Sequence, residues 1–277
     1  MTHRIVTWIF LLSASVAQAL PNHDNHAQVL KPGEWQLGLW EVQAGLTNTV
    51  QLGTNWPLWL GKIPNAEAKW VFHQRKGFDA SFGTGFYHFD LREYRPDAPE
   101  FVANVIPLKL WFSWHLETMM LTLGLQHTRI TTRGDASSND DDDNFSIDTL
   151  TGALNAQSGV ILPSILWKRG DGFAWLFDFQ FSAYQRADGR ADSTFSINQG
   201  DRVTGSATIQ GETQADFEAK GARNLTVSAL WYWTNFHLKL GLTMGHFMIP
   251  YANIFPVDEG GHPTTQGYPR IDLYWRF

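Results

Sequence analysis

Along most of this chain, apolar and polar side chains take turns one by one. In "AEAKWVFH", Ala66, Ala68, Trp70 and Phe72 fall on one face and Glu67, Lys69 and His73 on the other. In "FDASFGTGF", Phe78, Ala80, Phe82 and Phe86 oppose Asp79, Ser81, Gly83 and Gly85. A period of two is that of a β-strand whose faces meet different surroundings. The scheme returns in "IPLKLWFSWHL", where Ile106, Leu108, Leu110, Phe112 and Trp114 oppose Lys109, Trp111, Ser113 and His115. It returns again in "TMMLTLGLQ", in "FAWLFDFQFSAY" with Asp178 on the polar side, in "LTVSALWYW", and in "FHLKLGLTM" with His237 and Lys239 on the polar side. The last residues, "RIDLYWRF", set Ile271, Leu273, Trp275 and Phe277 against Arg270, Asp272, Tyr274 and Arg276. Only "SGVILPSILWK" departs from the pattern, where Pro163 suits a strand edge or a bend.

The connections predicted between these strands alternate in length. Tight turns fall at 75–77, 116–117, 169–172 and 234–235, with a further one at 47–48, whereas 91–101, 132–158, 187–222 and 248–268 are long polar links. A membrane barrel with short periplasmic turns and long extracellular loops has this asymmetry. Simple alternation gives about 11 strands, and barrels of bacterial outer membranes favour even numbers, so about 12 are expected, with about 10 as the alternative. The twelfth would be a faint strand before Glu34; the smaller count would make residues 34–54 one bent strand.

Composition narrows the surroundings of the greasy faces. Aromatic residues make up 14% of the chain, with 13 Trp and 19 Phe, while charged residues are 17%, below the ~25% of an ordinary soluble domain. Cysteine is absent, so no disulfide holds the fold. Residues 1–19 run from a basic start with Arg4 through an apolar stretch to "AQA", the order of a secretory signal with cleavage after Ala19. Cleavage removes Arg4 and leaves 20 basic against 27 acidic residues, a balance that argues against nucleic acid as a partner. Elsewhere no run approaches the ~18 apolar residues of a membrane-spanning helix. The expected organisation is a signal peptide over 1–19, a periplasmic N-terminal segment over 20–33, and a single barrel domain over 34–277.

With its signal sequence, its alternating strands over 34–277 and an ending that places Gly267, Leu273, Trp275 and Phe277 as a C-terminal assembly signal, the chain resembles the outer-membrane β-barrel proteins of Gram-negative bacteria. The resemblance implies an all-β, closed antiparallel transmembrane barrel in the outer membrane, surrounded by its lipid and inserted by the barrel-assembly machinery. It implies no cofactor and leaves the oligomeric state open.

Function is then sought on the polar faces. A closed sheet in lipid turns them inward, because only closure satisfies every backbone group there. The expected lumen-lining residues are Glu67, Lys69, Asp79, Lys109, Asp178, Lys239, Arg270, Asp272 and Arg276, with His73, His115 and His237 among them. A strongly selective pore would carry a ring of one sign. The mixed signs fit either a weakly selective polar channel or a closed network of ion pairs. The leading expectation is a passive pore for small polar solutes; the alternative is a plugged barrel that binds a surface partner or is structural, and the third is a barrel-embedded lipid-modifying hydrolase. That third reading would need Ser113 and His115, two residues apart on one face, with Asp79 or Asp178 completing a triad, and the ~7 Å between them along a strand is too long for direct proton transfer.

Three stretches stand outside the alternation. "RGDASSNDDDDN", with Asp135 and Asp140 to Asp143, lacks the spaced ligands and placed glycine of a calcium loop and reads as a solvated acidic loop, so no metal is expected. "NWPLWLGKIPN", 55–65, would be either an interfacial aromatic girdle or a lid over a hydrophobic ligand. The weak runs "STFSINQ" and "RVTGSATIQ" within 187–222 would either extend a hairpin beyond the membrane or fold inward as a plug.

Overall fold

The computed structural model describes residues 26–93, 100–136, 146–199, 202–217, 223–246 and 265–277. The expected signal segment with its cleavage site, and the acidic run at 140–143, lie outside the described residues. Among the described residues there are thirteen strands: β1 Trp35–Gly38, β2 Val42–Gly45, β3 Val50–Thr54, β4 Asn65–Arg75, β5 Phe78–Asp90, β6 Glu100–His115, β7 Met119–Ala136, β8 Ser146–Lys168, β9 Phe173–Gln199, β10 Arg202–Phe217, β11 Arg223–Tyr232, β12 Phe236–His246 and β13 Thr265–Arg276. Every neighbouring pair is antiparallel. The sheet closes on itself because β8 pairs with β9 along most of its length and β13 pairs with β1. The protein is an all-β closed antiparallel barrel.

The strand count corrects the expectation of about twelve, and of ten as the alternative. Residues 34–54 form neither one bent strand nor a partner to a faint strand before Glu34; they fold into the three short strands β1, β2 and β3. A thirteenth strand, β10, holds the run "RVTGSATIQ" and pairs with β9 alone, opposite "STFSINQ", so of the two alternatives for these weak runs the structure has the extended hairpin. The long links expected at 91–101, 132–158, 187–222 and 248–268 are likewise shorter than predicted. β7 runs on to Ala136, β8 begins at Ser146, β9 continues to Gln199, and Thr265 opens β13. Backbone pairing carries these polar segments as strands where the alternation of hydrophobicity is weak.

The five tight turns fall where the sequence placed them, between β2 and β3, β4 and β5, β6 and β7, β8 and β9, and β11 and β12. At the fourth, Gly170 takes a φ of 117°, and at the β4–β5 turn Gly77 takes 85°, conformations that favour glycine. The prolines inside strands sit where pairing lapses on one side. β8 keeps its register with β7 through Leu123↔Pro163, yet its pairing with β9 jumps from Ile161↔Phe181 to Ser164↔Asp178. Pro163 therefore lies within a strand instead of at its edge or bend, since its missing N–H costs nothing where no β9 partner stands. Pro107 in β6 occupies the same kind of gap opposite β5.

Burial shows which face is which. Trp70, Phe86, Leu108, Trp114, Trp175, Leu242, Ile271 and Trp275 are all exposed, although they are among the largest apolar side chains present. Between them, on the opposite face, Lys69, Ser81, Lys109, Ser113, Asp178, Ser228, Lys239 and Asp272 are buried. This inverts a water-soluble fold and is what a bilayer demands: apolar atoms toward acyl chains and polar atoms inward. β4 with eleven residues and β5 with thirteen meet the ~9–11 residues that a tilted membrane strand needs. No helix among the described residues is long and apolar enough to cross a membrane.

Candidate functional site

The interior is polar along its turn end and middle and apolar further along β5 and β6. On β6 the inward positions read Ser113, Trp111, Lys109 and then Val105, Ala103 and Phe101. Tyr87 of β5, Val105 and Ile130 of β7 form a small apolar cluster inside the barrel. Leu58 packs on it from the short helix α1, Trp56–Leu60, which connects β3 to β4. The 55–65 stretch thus divides its side chains: Leu58 turns inward, while Trp56, Trp59 and Leu60 are exposed. The Trp56 indole N–H donates to the Gly38 carbonyl at 3.0 Å and that of Trp59 to Thr54 Oγ1 at 2.7 Å, which ties the helix to the ends of β1 and β3.

The middle of the lumen holds a cleft lined by Glu41, Gln43, Gln51, Glu67, Lys69, Lys109 and Trp111. The register explains their meeting: Gln51 faces Lys69, Lys69 faces Gly83, and Gly83 faces Lys109, so one transverse row crosses β3, β4, β5 and β6. Glycine at 83 is required, because a Cβ there would lie 2.6 Å from the Trp111 ring. The two ammonium groups share that ring: Lys69 Nζ is 4.9 Å from its centroid and Lys109 Nζ 5.8 Å. Cation–π attraction of this kind gains strength on desolvation, and both lysines are buried. Lys109 Nζ also lies 3.8 Å from Glu67 Oε1, and the same oxygen accepts the Tyr87 hydroxyl. A second polar chain joins the first strands to the last: Arg276 Nε donates to Gln36 Oε1 at 2.8 Å, Gln43 Nε2 donates to Glu41 Oε1 at 2.6 Å, and Gln51 Nε2 donates to Gln43 Oε1.

Across β9, β12 and β13 stands a separate charged group. Lys239 is directly opposite Asp272 in the β12–β13 register, and its Nζ is 3.8 Å from Asp178 Oδ2. All three are buried. Thr226 and Thr243 bridge the intervening strands at 2.8 Å. Arg270 faces Gly241 and is half-buried.

At the turn end the residues considered for a triad do not assemble as one. His115 Nε2 meets Asp79 Oδ2 at 2.7 Å. The Ser113 hydroxyl is fully buried and bonds Thr122 Oγ1 at 2.8 Å. It also accepts the backbone N–H of Ala27 at 2.8 Å. A serine nucleophile needs its base on its own oxygen, and here the imidazole turns to the carboxylate instead.

That contact exposes a feature that sequence reasoning missed. Residues 26–31, part of the segment expected to be periplasmic, lie inside the barrel. Ala27 and Leu30 are buried, Gln28 Nε2 reaches Asp79 Oδ2 at 3.3 Å, and the Leu30 N–H donates to Gln51 Oε1 at 2.8 Å. Gly45 of β2 lets this strap pass: a Cβ there would stand 2.0 Å from the Lys31 carbonyl oxygen. A glycine inside a predicted strand was the one sign of it, since such glycines mark close backbone approach.

No protein-family model and no curated protein matches the sequence. Among solved structures the chain is similar to the CymD monoaromatic hydrocarbon channel, at 7% identity and a TM-score of 0.45, over 96% of this chain and 75% of that one. It is also similar to the TodX deltaS2S3 mutant monoaromatic hydrocarbon channel, at 8% identity and a TM-score of 0.27, over 88% and 89%.

Proposed function

We propose that this protein is an outer-membrane channel through which small polar solutes diffuse passively, with Lys69, Lys109, Glu67, Asp178, Lys239 and Asp272 lining the route. One observation carries the reading: a closed barrel wears aromatic residues outside and buries ionisable side chains inside, several of them around a cleft. Burying so many charges is costly unless something is gained from a polar interior. The short turns face the periplasm and the longer strands extend outward. The test is conductance of the refolded barrel in a planar bilayer, in symmetric salt and then across a salt gradient. Stable steps with a defined reversal potential are expected; silence from a correctly folded barrel overturns the proposal.

A second reading, a barrel plugged by its own chain that serves as a surface-binding or structural protein, is favoured by the strap at 26–31. The two readings part on one comparison. If removing residues 20–31 converts a silent barrel into a conducting one, the strap is the plug; if the intact chain already conducts, the strap only narrows the lumen.

A further inference from the structure

The outer wall changes character at one level. On β7, Leu121, Leu123 and Leu125 face outward and then give way to His127, Arg129 and Arg133. On β9 the outward positions are aromatic from Phe173 to Phe181; past an irregularity beside Ser182 they become Tyr184, Arg186, Asp188 and Arg190. The boundary is a single transverse row, in which His127 faces Gly159 and Gly159 faces Tyr184. His127 Nδ1 meets the Tyr184 hydroxyl across that glycine, where a Cβ would stand 2.2 Å from the Tyr184 ring. A tyrosine placed between an apolar wall and a polar one marks where acyl chains end and headgroups begin. In the next outward row Arg129 faces Gln157 and Gln157 faces Arg186. These arginines are two strands apart, about 10 Å, so their side chains can close on one phosphate over Gln157. Arg133 and Arg190 repeat the arrangement across Ala153, four residues further along each strand. All four arginines are exposed.

The neighbouring acids lie toward β10 and the strand tips. Asp188 Oδ1 is 3.4 Å from Arg186 Nε, β10 sets Asp216 opposite Arg186 and Glu212 opposite Arg190, and Asp135 follows Arg133 further out on β7. Arg129, nearest the boundary, stands instead between Ile106 and Gln157. A guanidinium carries five N–H donors, so a carboxylate contact and a phosphate contact are compatible on one arginine. Beneath the arginines the wall is greasy at once: Leu125 faces Ile161 and Ile161 faces Phe181. A free anion gains nothing from that floor, whereas a lipid uses both parts. We infer that the outer face of β7, β8 and β9 binds the phosphorylated headgroup of an outer-leaflet glycolipid, its phosphate on Arg129 and Arg186 and its acyl chains along Leu125, Ile161 and Phe181. Basic side chains just beyond the hydrocarbon attract anionic headgroups, and the planar guanidinium fork suits phosphate oxygens. The inference rests on the outer-membrane placement with short turns toward the periplasm, and is independent of whether the lumen conducts.

Lipid A bearing its phosphates, titrated into the folded barrel in phosphatidylcholine nanodiscs and counted by native mass spectrometry, tests it. Binding is expected to weaken about tenfold in the double variant Arg129→Gln and Arg186→Gln, the factor that losing charge-assisted contacts gives. Arg75→Gln, at the β4–β5 turn, should leave it unchanged. Dephosphorylated lipid A should bind the wild-type barrel more weakly by a similar factor, and inorganic phosphate should not displace the intact lipid. Equal binding of the dephosphorylated lipid, or equal binding by the double variant, overturns the inference. Displacement by inorganic phosphate would make the site one for a free anion and overturns the lipid assignment. The comparison of the two lipids uses the wild-type chain alone, so it decides even if a variant fails to fold.

Discussion

The backbone N–H of Ala27 donates to the hydroxyl of Ser113 at 2.8 Å, across 86 positions of sequence and with both residues fully buried. The chain's own N-terminal segment is therefore fastened to the inner wall of the barrel, beside the pair of Asp79 and His115.

Because the protein has no cysteine, the double substitution Ala27→Cys and Ser113→Cys places the only two thiols at this contact. Oxidation is expected to form an internal disulfide, seen as a faster band on non-reducing gels, since the contact brings the two backbones within bridging range. Channel fluctuations should fall on oxidation and return on reduction. Failure to cross-link in the folded barrel would place the strap elsewhere.

Gly45→Ala puts a methyl group against the carbonyl oxygens of Lys31 and Leu30, at 2.0 and 2.6 Å before relaxation. Backbone atoms yield poorly, so a loss of ~1–3 kcal/mol is expected in urea unfolding from lipid vesicles. Residues 26–31 should also become more open to proteolysis. Unchanged stability and unchanged cleavage would contradict the close approach.

Leu108 is exposed midway along β6, between two strands on the apolar side. Leu108→Arg is expected to cost ~2–4 kcal/mol if it meets the bilayer midplane. Lys109→Leu, one residue away but inward, should leave lipid anchoring intact and alter conductance. Equal effects from both would deny the two-sided wall.

Lys239→Met leaves Asp178 and Asp272 buried without the cation between them. Removing one partner from a buried charged group costs ~3–5 kcal/mol. Equilibrium unfolding measures it, and the further change of Asp178 and Asp272 to Asn should recover most of the loss.

Much of the wall was legible because each membrane strand reports its two environments at every second residue. Trp70 and Lys69 land on opposite faces as parity requires, and the turn at Gly77 and that at Gly170 lie where it breaks. Legibility fell where the alternation in the sequence is weak. In the outer reaches of β8, β9 and β10 the sequence alternates only weakly, and backbone pairing makes strands there. It failed also at β1 to β3, where four or five residues are too few to show a period. The strap's own pattern did not show it, because its order comes from distant partners, Ser113, Asp79 and Gln51. For the cleft, the lysines and Glu67 were nameable from parity; their grouping around Trp111 required the register.

The seam between β1 and β13 bears on how this molecule comes into being. Trp35 and Phe277 exchange both backbone hydrogen bonds there, and Arg276 reaches Gln36 over 240 positions. Until that final pairing is made, the sheet is a curling ribbon with two raw edges, and an apolar medium tolerates neither. Joining ends so far apart carries a large loop-closure entropy and belongs among the slowest kinds of folding event. The β1–β13 pairing removes both edges at once, so closing this seam and burying the wall in lipid are expected to be coupled.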